Sequence, residues 1–283
     1  MVSDEKSWVC VTCANEYPPA GTPPELCIIC TDDRQYVPSV GQQWVRLDDD
    51  AHTRRQLTSR VLEDGLLELT FTPTVGVGQR TFVVETDSGN VLWEPPGFAG
   101  PVLVDWLLQH GGISAIASSH PHLVGASVAL SHRLGHVPIW FNGSDRRWVT
   151  RPDPVIKYWT ARQCVLPGIE LVQCGGHFPG SSLLLIERAA GGRGAVLSGD
   201  TIMVGADRAS VSFMRSFPNL IPLPPRLVEQ IADTAGHLEF DRLYSAFGDA
   251  CIKSGARKVT RASADRYIGW ITDQIVDPDD HTL

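Results

Sequence analysis

Three polar motifs, each at the end of an apolar run, restrict the fold of this chain more than any other feature. His120 and His122, in SSHPHLVG, follow directly on ISAIASS; His177, in VQCGGHFPGSS, lies just past GIELVQ; Asp200 closes AVLSGD. Short apolar runs bounded by glycine and polar turn residues read as buried strands. Two histidines two apart at a strand end can both turn toward one ion. Three imidazoles and one carboxylate, each at a strand terminus, match a zinc or iron coordination set. A lone histidine is usually a surface or packed residue, and the chain has nine. The ordered combination in separate strand-end loops is hard to obtain by chance.

The rest of the chain supplies strands in two groups, with helices after each. LLELTFTPTVGV and QRTFVVETDSGNVLWE read as antiparallel strands, the latter turning at DSGN. PVLVDWLLQHGG reads as a helix opened by proline and closed by paired glycines. ASVALSHRLG is a helix, HVPIWFN a strand, and DRRWVTRPDPVIKYWT a helix with a proline interruption. SSLLLIE and GAVLSGD pair through a Gly-rich hairpin; RLVEQIADTAG is a helix, and FDRLYSAF a strand or a strand-helix join. ASADRYIGWITDQI is an amphipathic C-terminal helix, with Ala264, Tyr267, Ile268 and Ile271 at helical spacing. This order predicts an α/β sandwich with helices outside two sheets.

Four of the seven cysteines lie in the first thirty residues: CVTC, thirteen residues, then CIIC. This Pro-rich segment has no amphipathic period and cannot bury a core of its own, so something must cross-link it. Cys10, Cys13, Cys27 and Cys30 can close tetrahedrally around a structural zinc, and iron fits the same four-sulfur geometry. The alternatives are a redox dithiol, simple buried cysteines or a metal-sensing role. A structural site predicts that Cys27→Ala releases the metal and loosens only the cap. Residues 1–38 form this knuckle and residues 39–283 the main domain.

With a net charge of -8 and 20 Arg against four Lys, no Lys/Arg block suggests a phosphate-backbone footprint, so a nucleic-acid partner is not expected. The odd cysteine count and the opening MVSDEKSWVC, without an apolar signal segment, argue against a secreted disulfide framework, and a cytoplasmic protein is expected. No apolar run is long enough to span a bilayer. No GxGxxG or Walker pattern occurs.

Over roughly residues 40 to 275 the order of motifs resembles the metallo-beta-lactamase superfamily, whose signature is HxHxDH. With the cysteine-rich front, the whole pattern also resembles a bacterial subgroup called metallo-beta-lactamase-fold hydrolases. The resemblance implies a four-layer αββα sandwich with a zinc-ribbon-like knuckle at its front. It implies that His120, His122 and His177 bind the first metal and that Asp200 is the bridging carboxylate. The chain departs from the signature where Val124 replaces the aspartate and Gly125 the next histidine. The family's last histidine should end a strand after the 224–234 helix, where DRLYSAFGDACI offers only Asp249 and Cys251; His237 lies in a nearby loop. A two-metal site is therefore not expected. One central zinc or iron remains, with Asp200 as fourth ligand or as base. The expected activity is hydrolysis of a small ester, thioester or lactone; the rival is a non-catalytic binding or structural protein on the same fold. Trp140, Trp148 and Trp159 line a pocket mouth or pack in the core. His52, His110, His132, His136 and His237 are expected at the surface.

Overall fold

The computed structural model describes residues 7–279. Residues 1–6, part of the opening read as lacking a signal segment, lie outside the described residues. Strands β1 (Trp8–Cys10), β2 (Glu16–Tyr17) and β3 (Trp44–Arg46) form a small antiparallel sheet in the order β2-β1-β3 beside the four cysteines. After the single turn α1 (Asp50–Thr53) come β4 (Gln56–Glu63), β5 (Leu66–Thr72), β6 (Thr81–Thr86), β7 (Gly89–Trp93), helix α2 (Pro101–Gln109), β8 (Ala115–Ala117), helix α3 (Ser127–Arg133), β9 (Ile139–Asn142) and β10 (Ile156–Trp159). These seven strands lie in the order β10-β9-β8-β7-β6-β5-β4, antiparallel from β4 to β7 and parallel from β7 to β10.

The second half begins with β11 (Arg162–Leu166), β12 (Ile169–Gln173) and β13 (Ser182–Ile186), continues through the tight turn α4 (Ala189–Gly192), and reaches β14 (Ala195–Gly199). Two small hairpins follow, β15 (Met203–Val204) with β16 (Val211–Ser212), and β17 (Met214–Ser216) with β18 (Ile221–Pro222). Then come helix α5 (Pro225–Gly236), β19 (Arg242–Ser245), β20 (Cys251–Ile252) and helix α6 (Ala256–Ile271). The sheet order is β11-β12-β13-β14-β19-β20, with β14 and β19 parallel.

Alternation along the strands sets the layers. In β7, Leu92 packs with Leu103, Leu107 and Val128 under α2 and α3, while Val91 and Trp93 point the other way. There they meet Ile169, Leu184 and Leu197 of the second sheet. In β13, Leu183 and Leu185 face Val228, Ile231 and Ala264 on α5 and α6. Both sheets are thus apolar on both faces, and the stack is α, β, β, α as expected. Trp159 and the partly buried Trp140 belong to the core between the sheets, and Trp148 packs with the knuckle.

Several local readings change. DRRWVTRPDPVIKYWT is not a helix: only Gly143–Trp148 makes a 3-10 turn, and Ile156–Trp159 is a strand parallel to β9. Pro152 and Pro154 break the helix, and the aromatic, β-branched run beyond them suits a pleated edge. The long strand β4 went unread because it is a largely exposed edge without apolar alternation. FDRLYSAF resolves as a strand at Arg242–Ser245, and the last helix starts earlier than expected, at Ala256. No helix among the described residues is long and apolar enough to cross a membrane.

Candidate metal centres

The chain returns to one edge of the sandwich at the ends of β8, β12 and β14, and the three motifs meet there. One donor atom from each of His120, His122, His177 and Asp200 lies within 4.8 Å of all the others. His120 Nε2 is 3.5 Å from Asp200 Oδ2, His177 Nε2 is 3.8 Å from the same oxygen, and His177 Nε2 is 3.4 Å from His122 Nδ1. Nitrogen or oxygen donors ~2.0–2.1 Å from one centre at tetrahedral corners sit about 3.4 Å apart. The measured spacings are close to that edge. His120 Nε2, His122 Nε2 and Asp200 Oδ1 are buried with no hydrogen-bond partner. Orphaned buried polar atoms cost free energy unless something satisfies them, and a cation fits this donor set.

The rings are held from behind. Ser119 Oγ lies 2.7 Å from His120 Nδ1, and Met214 O lies 3.0 Å from His177 Nδ1. A proton on His177 Nδ1, donated to that carbonyl, leaves Nε2 as a lone pair facing the cluster. Ser181 Oγ accepts the Phe178 N–H at 2.8 Å and closes the HFPGS turn. Burial pushes His120 and His122 well below the usual imidazole range and His177 down to about 4. Burial also pushes Asp200 up to about 7. The three imidazoles are therefore neutral, the form that ligates metal.

Sequence reading missed Glu94, Asn15 and Arg34. Glu94, fully buried at the end of β7, accepts the Ser119 N–H at 3.2 Å and leaves Oε2 without a partner. Its place after an apolar strand, like that of Asp200, was the available signal. Asn15 and Arg34 join the site only through contacts distant in sequence. His52 was expected at the surface but is buried, with Nε2 2.7 Å from Gly97 O.

None of the substitutes for the late histidine joins the central group, which among the described residues holds His120, His122, His177 and Asp200. At the end of β19, Ala246 accepts the Arg80 N–H at 2.8 Å, and the buried Arg80 guanidinium bonds Ala250 O at 2.9 Å. Asp249 is exposed and pairs with Arg208; Cys251 lies in β20 opposite Tyr244; His237 is exposed beyond α5. Gly125 has φ +55, and a Cβ there would lie 2.2 Å from Pro95 O and 2.5 Å from Pro96 O. The place of the signature's third histidine is filled by the Pro95–Pro96 backbone.

The cysteines form a second cluster. Cys10 Sγ is 3.6 Å from Cys30 Sγ, and Cys13 Sγ is 3.6 Å from Cys27 Sγ; all four are buried. Four sulfurs ~2.3 Å from a shared tetrahedral centre sit about 3.8 Å apart, far beyond a ~2.05 Å disulfide bond. Hydrogen bonds from its three neighbours pull the Cys10 thiol down, while burial pushes Cys13 up. Four thiolates cannot be buried together without a cation, so this donor set also fits a metal.

Asp145 steadies the His177 loop by accepting the Gly180 N–H at 2.9 Å. Burial raises its carboxyl to about 6. An acid raised on folding is penalised where it must ionise, so its contribution to stability declines as pH climbs from about 4 through 6. Asp145→Asn keeps an acceptor and does not titrate. Its stability in urea denaturation, relative to the parent, should therefore rise between pH 5 and pH 8 by about 1.5 kcal/mol, the part of a two-unit shift that falls in that window. A pH-independent difference would contradict this.

No family model matches the chain. The chain is 36% identical over 270 residues to "Uncharacterized protein YmaE" of Bacillus subtilis (strain 168), covering 95% of this chain and 98% of that one. Among solved structures, the metallo-beta-lactamase FIM-1 from Pseudomonas aeruginosa, in its mono-zinc form, superposes with a TM-score of 0.55 at 15% identity, covering 76% of this chain and 98% of that one. A B3 metallo-beta-lactamase with an active-site glutamic acid gives 0.54 at 17%, covering 80% and 97%. Identities this low establish the fold and nothing of the chemistry. By its fold and by its near end-to-end match to YmaE, the chain belongs with that protein in one family built on the metallo-beta-lactamase fold.

Proposed function

We propose that this protein is a metal-dependent hydrolase with one central zinc or iron, acting on a small ester, thioester or lactone. The observation that carries the reading is the convergence of one donor atom from each of His120, His122, His177 and Asp200 within 4.8 Å, all four residues buried, with His120 Nε2 left without a hydrogen-bond partner. A bound ion supplies Lewis acidity toward the substrate carbonyl and a water of lowered pKa. The chain's own residues do the rest. Three neutral imidazoles would hold the ion, with His120 and His177 braced by Ser119 and by the Met214 carbonyl. Asp200 turns Oδ2 toward the imidazoles and keeps Oδ1 without a partner, so Oδ1 is the oxygen that would accept a proton from a water held at the site. Burial alone pushes that carboxyl up, and a cation held beside it would draw it back toward the ionised form that accepts a proton.

The same burial favours a second reading. A closed site with four protein ligands is the form of a structural metal centre on a non-catalytic domain. Metal analysis with a broad ester panel separates the two. Two ions per chain are expected, one in each cluster, with turnover that depends on zinc, iron or manganese. His120→Ala should keep the fold and the cysteine-bound ion while losing the second ion and reducing turnover to background. Two ions without turnover on any ester overturn the hydrolase and leave the structural reading. One ion per chain, lost with Cys27→Ala, overturns the hydrolase and the structural metal centre and leaves a non-catalytic binding protein with a degenerate central site.

A further inference from the structure

The knuckle and the central donor set share partners. Asn15, two residues beyond Cys13, points its Nδ2 at Cys13 Sγ (3.5 Å), Pro121 O (3.2 Å) and His122 O (3.3 Å). One buried amide thus spans a cysteine of one cluster and the backbone of a histidine in the other. Arg34, four residues past Cys30, donates Nε–H to His177 O, and its guanidinium lies 4.4 Å over the Phe178 ring. Asp32 anchors that guanidinium at 2.7 Å. The hairpin that offers Met214 O to His177 is tied to the same tail: Arg215 forks onto Asp33, and Ser216 Oγ donates to Arg34 O at 3.1 Å.

We propose that Asn15 and Arg34 are positioning residues through which the closed four-cysteine knuckle sets the geometry of the central histidines, so that the central ion is held tightly only while the knuckle is metal-bound. This rests on the reading that the central group binds a metal. Neither residue is a ligand. Each fixes the carbonyl of a histidine whose ring must present one nitrogen to a shared point, and a tilt of either ring opens the donor set. Supports of this kind typically change metal affinity by about 10–100-fold when removed. Cys27→Ala therefore reaches past the cap to His122 and His177.

The test loads metal-free full-length protein with Co(II). Sulfur-to-cobalt charge-transfer absorption reports the knuckle, and the weaker ligand-field bands of a nitrogen–oxygen site report the central group. In Asn15→Ala and Arg34→Lys the sulfur band should be retained, showing that the knuckle folds, while central-site affinity falls by about 10–100-fold. Arg34→Lys keeps a cation over Phe178 but loses the forked donor, so it separates placement from charge. Cys27→Ala should lose the sulfur band and weaken the central bands together. Wild-type central affinity in both Asn15→Ala and Arg34→Lys overturns the proposal alone. Wild-type protein that never develops the central bands overturns it together with the central-ion reading.

Discussion

Writing the complete signature back into the chain, Val124→Asp with Gly125→His, is expected to unfold the protein, not to create a second metal site. Gly125 has φ +55, where an L-residue pays about 1–2 kcal/mol. Its missing Cβ faces the carbonyls of Pro95 and Pro96 at 2.2 and 2.5 Å, both backbone atoms that cannot swing aside. The surroundings are pinned as well: Ala126 N–H bonds Pro96 O at 2.9 Å, and Glu16 N–H bonds Gly125 O at 3.2 Å. Overpacking of a rigid site adds roughly 1–3 kcal/mol even for small groups. Gly125→Ala alone should then lower stability by about 3 kcal/mol or more in urea denaturation. A folded double variant that takes up a further ion would show the backbone to be more yielding than these contacts imply. Val124→Asp alone leaves the glycine in place and tests the carboxylate without the clash.

The second large effect is expected at Glu16. Its carboxylate is 2% exposed, accepts the N–H groups of Val128 and Ala129 at the start of α3, and meets Arg151 at 2.6 Å. Ala126, which precedes α3, offers no side-chain cap, so the helix takes its cap from the front of the chain. Burial raises the Glu16 carboxyl, while Arg151 and the helix N–H groups pull it back. Removing one partner of a buried ion pair typically costs about 3–5 kcal/mol, since the other keeps its desolvation penalty. Glu16→Ala should fall in that range by chemical denaturation, and Glu16→Gln should cost less because the amide oxygen still caps α3. Equal losses for the two would show that the charge, not the cap, matters at this position.

The central donor cluster was legible because each of its motifs ends an apolar strand, and parallel or neighbouring strands bring such ends to one edge. The two paired cysteine turns were legible for a different reason: nothing else in that Pro-rich stretch can hold it folded. The bracing groups carried no such mark. Asn15 reads as an ordinary turn residue, and its bonds reach residues 106 and 107 positions away. Arg34 reads as a solvated charge, yet it is 5% exposed and reaches His177. Strand β4 was hidden because an exposed edge needs no apolar period. The substitutes sought for the late histidine failed on geometry: β19 does end at the expected edge, but Asp249 turns out to Arg208, and Cys251 returns along β20.

The ties between the knuckle and the second half of the domain also bear on how the chain is made. Asp33 and its partner Arg215 are 182 residues apart. At roughly 5–20 residues per second, the cysteine segment waits on the order of 10–35 s after synthesis before the partners of its tail exist. Through that interval the four sulfurs have one another and the near-in-sequence donors Asn15, Tyr17 and Gln42, so the cluster can close before the second half of the chain has emerged.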